Sequence, residues 1–248
     1  EDACAPDGLP SGQAVGEADC SEGICSISAG PFWRGQSSEW EADADACPLH
    51  VVELDAFRID QQETSMGDYN DCVDAGVCSQ RDGECNSIYS NWKGDPDLLP
   101  VVCVTHSQAQ TYCEWRGGRL PTEAEWEVAA RGGLVANKYA WGNSPFPSKA
   151  NYLDTRIGKT AAVGTFDPNG YGIYDIGGNL REWTWDVKDD RTYEYEWKET
   201  FEDANGSHGL VDEDNTTAWF ASDVLLGNRK KYSALNLFQS KIINQLEK

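Results

Sequence analysis

Gly118-Arg119-Leu120-Pro121-Thr122-Glu123-Ala124-Glu125-Trp126-Glu127-Val128-Ala129-Ala130-Arg131-Gly132 carries the signals of one short helix with both ends marked. Thr122 has the hydroxyl of a good N-cap, and Glu125, three residues on, completes a capping box. Glu123, Glu125 and Glu127 put negative charge in the first turns, where the helix dipole favours it. Ala124, Val128 and Ala129 form a narrow apolar stripe with Trp126 on its flank. Gly132 and Gly133 supply a left-handed stop just after Arg131.

Around this helix the composition sets limits. A chain of 248 residues holds one large domain or two small ones, and 40% hydrophobic residues are enough for a core. Ten Trp, 24 Gly and a single Met point to a loop-rich fold pinned by aromatic residues. No run of 18 apolar residues occurs, so no transmembrane helix is expected. The chain starts at Glu1 without an apolar leader, which suits a processed secreted product. A net charge of −22 argues against nucleic acid and anionic membranes, which repel such a field, and favours divalent cations, basic partners or simple solubility. The nine cysteines contain no Cys-x-x-Cys pair and are accompanied by only three His. Disulfides in an oxidising, extracytoplasmic compartment are therefore expected rather than a zinc cluster. The odd count leaves at least one thiol outside any intrachain pairing.

In chain order, residues 1–30 read as a Cys-containing N-terminal extension with little structure beyond cystine staples. Val52 to Phe57 alternates as a half-buried strand should. Thr64 or Ser65 then caps a helix whose face carries Tyr69, Cys72 and Val73. Residues 78–98 form a loop in which Cys85 is expected to act as a tether. Leu99 to Val104 reads as a short buried strand. Thr105, with Gln108 at the box position, caps a helix with Ala109, Tyr112 and Cys113 on its inner face and Gly117-Gly118 at its end. Cys103 and Cys113 read as buried structural cysteines rather than a redox pair. Asp167-Pro168-Asn169-Gly170 is a strong turn signal.

Several of these strings together resemble the formylglycine-generating enzyme family, also called sulfatase-modifying factors. They are Arg119-Leu-Pro-Thr-Glu-Ala-Glu-Trp-Glu127, Tyr139-Ala-Trp-Gly142, and Tyr171-Gly-Ile-Tyr-Asp-Ile-Gly-Gly-Asn-Leu-Arg-Glu-Trp183. Weaker blocks include Gly30 to Gly35, where Trp33-Arg34 replaces the usual pair, and Phe57 to Tyr69. The resemblance covers roughly residues 30–186. It implies an α+β fold of formylglycine-generating-enzyme type, similar to the C-type lectin fold, with little regular secondary structure. The expected organisation is an extension over 1–30, the family domain over 31–190, an acidic and aromatic segment over 191–228, and a tail over 229–248. The tail holds five basic residues and one acid. Leu235, Phe238, Ile242 and Leu246 give it the stripe of a basic amphipathic helix, either docked on the acidic body, bound to a partner, or foreign to the domain.

The resemblance also implies calcium. Asp175, Gly178, Leu180 and Glu182 match the family's calcium loop residue by residue, two carboxylates with backbone carbonyls between them, which is the oxygen set a hard cation takes. Asn151 and Tyr152 match the start of a second site, for which Asp154 is a further candidate. The family's enzymes oxidise a sulfatase cysteine to formylglycine with oxygen and, in aerobic members, copper(I) held by two late cysteines, because soft thiolates suit that ion. Here the last cysteine is Cys113, and no Arg-Gly-Gly-Ser string follows Trp183. No catalytic residue is assigned. Three readings follow: a secreted, calcium-stabilised, non-catalytic binding or structural module with a protein or peptide ligand; a formylglycine-generating oxidase acting on a sulfatase peptide with copper; or a truncated product of an enzyme gene. Asn205-Gly206-Ser207 and Asn215-Thr216-Thr217 are glycosylation sequons in a eukaryotic setting.

Overall fold

A computed structural model describes residues 16–35, 49–81, 93–135, 137, 139–144, 148–151 and 160–186, and the backbone of 238–239 and 243–244. The first strands are β1 (Ala18–Ser21) and β2 (Ile24–Ile27). Glu22 and Gly23, at φ 52° and 79°, join them in the tight turn that matches strand twist. Cys20 and Cys25 face each other across this ladder and are disulfide-bonded. Next come β3 (Gly30–Arg34), β4 (His50–Leu54) and β5 (Phe57–Asp60). β3 pairs with β4, whereas β2 pairs with β5, all antiparallel. The predicted single strand from Val52 to Phe57 is thus two strands in two sheets, broken at Asp55-Ala56. A two-residue period runs unchanged through such a break and cannot reveal it.

Residues 16–30 are not a separate extension, because β1 and β2 belong to the main sheet, ordered β1-β2-β5-β8, with β1 at its edge and β2 between β1 and β5. The tail is corrected as well. Its described parts are strands, β7 (Phe238–Gln239) and β8 (Ile243–Asn244), where a helix over 229–248 is predicted. β8 runs antiparallel to β5, and β7 runs parallel to β6 (Arg181–Glu182). The open backbone edges of β5 and β6 offer N–H and C=O groups that strand pairing satisfies, and this outweighs the helical spacing of the tail's apolar residues.

The three α-helices among the described residues follow their caps. α1 (Met66–Asp74) is capped by Ser65, with Asp68 completing a box. Cys72 and Cys78 form a disulfide across its C-terminal end. α2 (His106–Trp115) starts at the Thr105–Gln108 box, and α3 (Glu123–Arg131) at the Thr122–Glu125 box. α3 ends at Gly132, in the left-handed conformation at φ 56°. Leu99 to Val104 is buried at Leu99, Val101, Val102 and Val104, as expected, but it forms no strand. A single bridge joins Pro100 to Ser65, and Pro100 has no N–H to donate to a longer ladder.

Two apolar clusters result. One joins the main sheet to Trp126, Val128 and Ala129 of α3 and to Tyr171, Ile173 and Ile176. The other joins α1 and α2 to Val101, Val104, Leu120 and Trp183. α3 has more than the predicted stripe, since all nine of its residues are buried. Its charges are matched inside the protein. Arg34 of β3, fully buried, bonds Glu123 Oε2 at 2.5 Å and Glu127 Oε2 at 3.0 Å. Arg131 bonds Glu127 Oε1 at 2.5 Å and the Gly35 carbonyl, and the Gly35 N–H donates to Glu127 Oε1 at 2.8 Å. Asp186 accepts the Glu123 N–H at the start of the helix.

Two buried carboxylates, Glu123 and Glu127, thus share two buried guanidinium groups, with the half-buried Asp186 beside them. Burial pushes Glu123 up to about 7, against Arg34 and with added repulsion from Glu127 and Asp186. Burial also pushes Asp186 upward. Burial alone raises Glu127, but Arg131 and Arg34 outweigh it and hold that carboxyl at about 2. The stability Glu123 contributes is fully present below its ordinary value of 4.5 and is lost as pH rises towards 7. The Glu127 share is present above that value and lost as pH falls towards 2. Glu123→Gln is expected to flatten the neutral limb, leaving the part due to Asp186, and to keep the acid limb. Thermal melts of both proteins across roughly pH 3–8 check this, and an unchanged neutral limb in the variant contradicts it.

A second close contact sits at the far end of α3. The Asn169 side chain donates to the carbonyls of Ala129 and Ala130 at 2.7 and 3.2 Å and accepts the N–H groups of Tyr171 and Ile173. A Cβ on Gly170 meets the Gly132 carbonyl oxygen at 2.3 Å. Backbone cannot yield there as a side chain can. Gly170→Ala is expected to cost about 1–3 kcal/mol in denaturant unfolding. A variant with the wild-type midpoint shows that the approach is looser than described.

Candidate metal centre

The turn held by Asn169 delivers the chain to Asp175, which is 4% exposed and in the left-handed conformation at φ 57°. The Gly164 N–H donates to Asp175 Oδ2 at 2.5 Å, and the Asp175 carbonyl accepts the Gly178 N–H at 2.9 Å. The loop thus closes into a turn directly after its first carboxylate. Seven residues later Glu182, 3% exposed, begins the exit in β6 and accepts the indole N–H of Trp126 on Oε2. Helix α3 thereby fixes the second carboxylate through the one large aromatic side chain of its motif.

The two glycines between them are needed for space. A Cβ on Gly177 comes within 2.9 Å of the Trp141 ring, and one on Gly178 within 2.6 Å of the Asn151 carbonyl oxygen. Trp141 is itself stacked on Tyr139, with ring centres 5.2 Å apart and planes at 6°, across the Tyr139–Gly142 bridge. The three predicted strings are therefore in contact: the 119–127 helix through Trp126, the Tyr139–Gly142 turn through Trp141, and the Asp175–Glu182 loop.

Asn179 sits at the centre of this contact, also left-handed at φ 60°. Its N–H donates to the Asn151 carbonyl at 2.8 Å, and its side chain bonds Asn151, Ala161 and Glu63. Asn151 is thus brought against the loop. Tyr152 and Asp154 lie outside the described residues. Sequence reasoning assigned no role to Asn179 or Glu63. The Gly-Gly-Asn turn chemistry was a visible signal for Asn179, but Glu63 lies 116 positions away and gives none.

Asp175 and Glu182 are buried carboxylates seven residues apart, in a loop that passes through left-handed Asp175 and Asn179. Two carboxylates together with backbone carbonyls, those of Gly178 and Leu180 included in the expectation, are the oxygen types a hard cation takes. Among the described residues no group of three or more His, Cys, Asp or Glu is placed to hold a metal. A metal in this loop therefore depends on backbone carbonyls as much as on carboxylates, and thiolate or imidazole metals find no cage there.

Five of the six described cysteines are in disulfides. Besides the two disulfides, Cys103 is disulfide-bonded, and so is no redox partner of Cys113, which lies on the buried face of α2. Cys4, Cys47 and Cys85 lie outside the described residues.

Comparison with known proteins follows the same lines. The family profile described as "Sulfatase-modifying factor enzyme 1-like domain" matches residues 12–231. The formylglycine-generating enzyme of Mus musculus is 41% identical, over 64% of this chain and 57% of that protein. The inactive C-alpha-formylglycine-generating enzyme 2 of Bos taurus is 46% identical over 97 residues, 35% of this chain and 32% of that protein. The chain thus spans little more than half the length of the mouse relative. PvdO from Pseudomonas aeruginosa superimposes with a TM-score of 0.58 at 25% identity, covering 72% of this chain and 77% of that structure. Treponema denticola variable protein 1, at 23% identity and a TM-score of 0.53, shares the fold over 72% of this chain and 79% of its own. With most of its length matched and its three strings meeting at one loop, this chain belongs to the sulfatase-modifying factor, or formylglycine-generating enzyme, family.

Proposed function

We propose that this chain is an extracytoplasmic, calcium-stabilised member of the family that works as a non-catalytic binding or structural module. The observation that carries this reading is the fate of the thiols. Within residues 1–248 no cysteine follows Cys113, and five of the earlier ones, Cys20, Cys25, Cys72, Cys78 and Cys103, are in disulfides. Disulfide sulfur is neither a nucleophile nor a ligand for copper(I), both of which need thiolate. The strings that resemble the family are meanwhile present through Trp183. A relative named as an inactive formylglycine-generating enzyme supports the reading that a chain of this family need not carry the activity.

In this reading Asp175, Gly178, Leu180 and Glu182 hold calcium, and Asn151 with Tyr152 begins a second site. Calcium supplies charge that stabilises a loop carrying two buried carboxylates. The chain's own residues fix those carboxylates through the N–H groups of Gly164 and Trp126. The disulfides fit an oxidising compartment. No helix among the described residues is long and apolar enough to cross a membrane. The ligand is a protein or peptide, and the lectin-like character implied by the resemblance belongs to the same reading. The alternative, a formylglycine-generating oxidase acting on a sulfatase peptide, is favoured by the identity to the mouse enzyme.

Two experiments decide between them. A sulfatase-derived peptide carrying Cys-x-Pro-x-Arg is incubated with the chain, copper(I) and oxygen, and formylglycine is read by mass spectrometry. No conversion above a metal-free control is expected, and conversion overturns the non-catalytic reading. Separately, chelator-treated protein is melted with and without calcium. Calcium at about a hundred times its Kd is expected to raise the melting temperature by about 5–10 °C. Superimposed melts contradict the calcium assignment.

A further inference from the structure

Asn179 is the obvious extra donor in the loop: a side-chain amide oxygen between two carboxylates, of the kind calcium binds. Its surroundings argue otherwise. The amide oxygen accepts from Asn151 Nδ2 at 3.0 Å and from the Ala161 N–H at 2.9 Å. The amide nitrogen donates to Glu63 Oε2 at 2.6 Å and to the Ala161 carbonyl at 3.2 Å. An asparagine side chain has two acceptor lone pairs and two donor hydrogens, and all four are used by protein groups. No lone pair remains for a metal.

We propose that Asn179 is a positioning residue rather than a ligand, and that its bond to Glu63 sets the affinity of the Asp175–Glu182 loop for calcium. The inference rests on the calcium reading above. The bond to Glu63 is the short, charge-assisted one of the four, and Glu63 is 2% exposed, so water weakens it little. It ties the loop to the chain just after β5, while the bonds to Ala161 and Asn151 tie it to two further segments. The Asn179 N–H donates to the Asn151 carbonyl at 2.8 Å. In a trans peptide this turns the Gly178 carbonyl the opposite way and fixes its direction. Gly178 and Leu180 flank Asn179, so the Gly178 carbonyl shares a peptide with the held N–H, and the position of Leu180 follows from the torsions Asn179 is held in. A free asparagine tolerates the left-handed conformation, but only an anchored one keeps it.

Asn179→Asp separates the two roles by sign. As a ligand, a carboxylate binds calcium more tightly than an amide. As a positioning residue, the new oxygen loses the donors to Glu63 and Ala161 and faces the Glu63 carboxylate. Calcium chloride is titrated calorimetrically into the chelator-treated full chain. The expected result is a loss of affinity of about 10- to 100-fold in Asn179→Asp. Adding Glu63→Gln to that variant returns a donor to the pair and is expected to recover most of the loss, a coupling that general destabilisation does not produce. Should Asn179→Asp lack the wild-type circular dichroism, Glu63→Gln alone provides the test. It leaves every proposed ligand in place and is expected to weaken calcium about fivefold. Affinity unchanged or tightened in Asn179→Asp, or unchanged in Glu63→Gln, overturns the inference while the calcium reading stands. No calcium uptake by the unaltered chain overturns both.

Discussion

Arg34 and the two glutamates it holds, Glu123 and Glu127, permit α3 to be buried on every side. A nine-residue helix with three glutamates and an arginine belongs at a surface unless each charge meets an opposite one. Arg34 comes from β3, 89 and 93 positions earlier, and Arg131 completes the set from within the helix. Once the charges are matched, Trp126, Val128 and Ala129 can join the apolar cluster of the main sheet. The same burial carries Trp126 to Glu182 and the helix start to Asp186. Removing one member leaves an unbalanced charge in a dry site, so β3, α3 and the 182–186 segment stand or fall together.

Regular structure accounts for little of the remaining order, and glycine and asparagine take its place. Gly170 lets two backbones meet at the end of α3, and Gly177 and Gly178 do the same at the loop. Asn169 satisfies carbonyls that the helix end leaves open and N–H groups that the turn leaves open. Asn179 does this for three separate segments. A backbone without ladders still needs partners for its polar groups, and a short amide side chain provides two donors and two acceptors in one plane.

This division explains what was legible in the sequence. The helix caps involve residues three apart, so Thr105–Gln108 and Thr122–Glu125 could be read directly, and Ser65 was one of two candidates for α1. The partners of Glu123, Glu127 and Asn179 lie far away in sequence, and no periodicity encodes them. The alternation from Val52 to Phe57 was real, yet it spans a change of sheet. The Cys20–Cys25 disulfide shows why the first thirty residues looked detached: small and polar residues suffice for a hairpin when a disulfide and a neighbouring strand hold it. The donor set proposed for the Asp175–Glu182 loop came from resemblance, since spacing alone does not tell a calcium loop from a capped turn.

The tail brings these points together. β5 and β6 each expose a backbone edge, and β8 and β7 pair with them. Ladder pairing asks only for N–H and C=O groups at strand spacing and is tolerant of side chains. A basic segment unlike the acidic body can therefore close the same edges that any other strand would close. The contacts that shape the loop and seat α3 are less tolerant: Arg34, Trp126, Gly178 and Asn179 each depend on one side chain, or on having none. All of them lie before residue 187, whereas the resemblance implies a thiol pair late in the domain, after an Arg-Gly-Gly-Ser-type strand. The residues that shape the loop and seat α3 are therefore separate from the thiols that the resemblance implies.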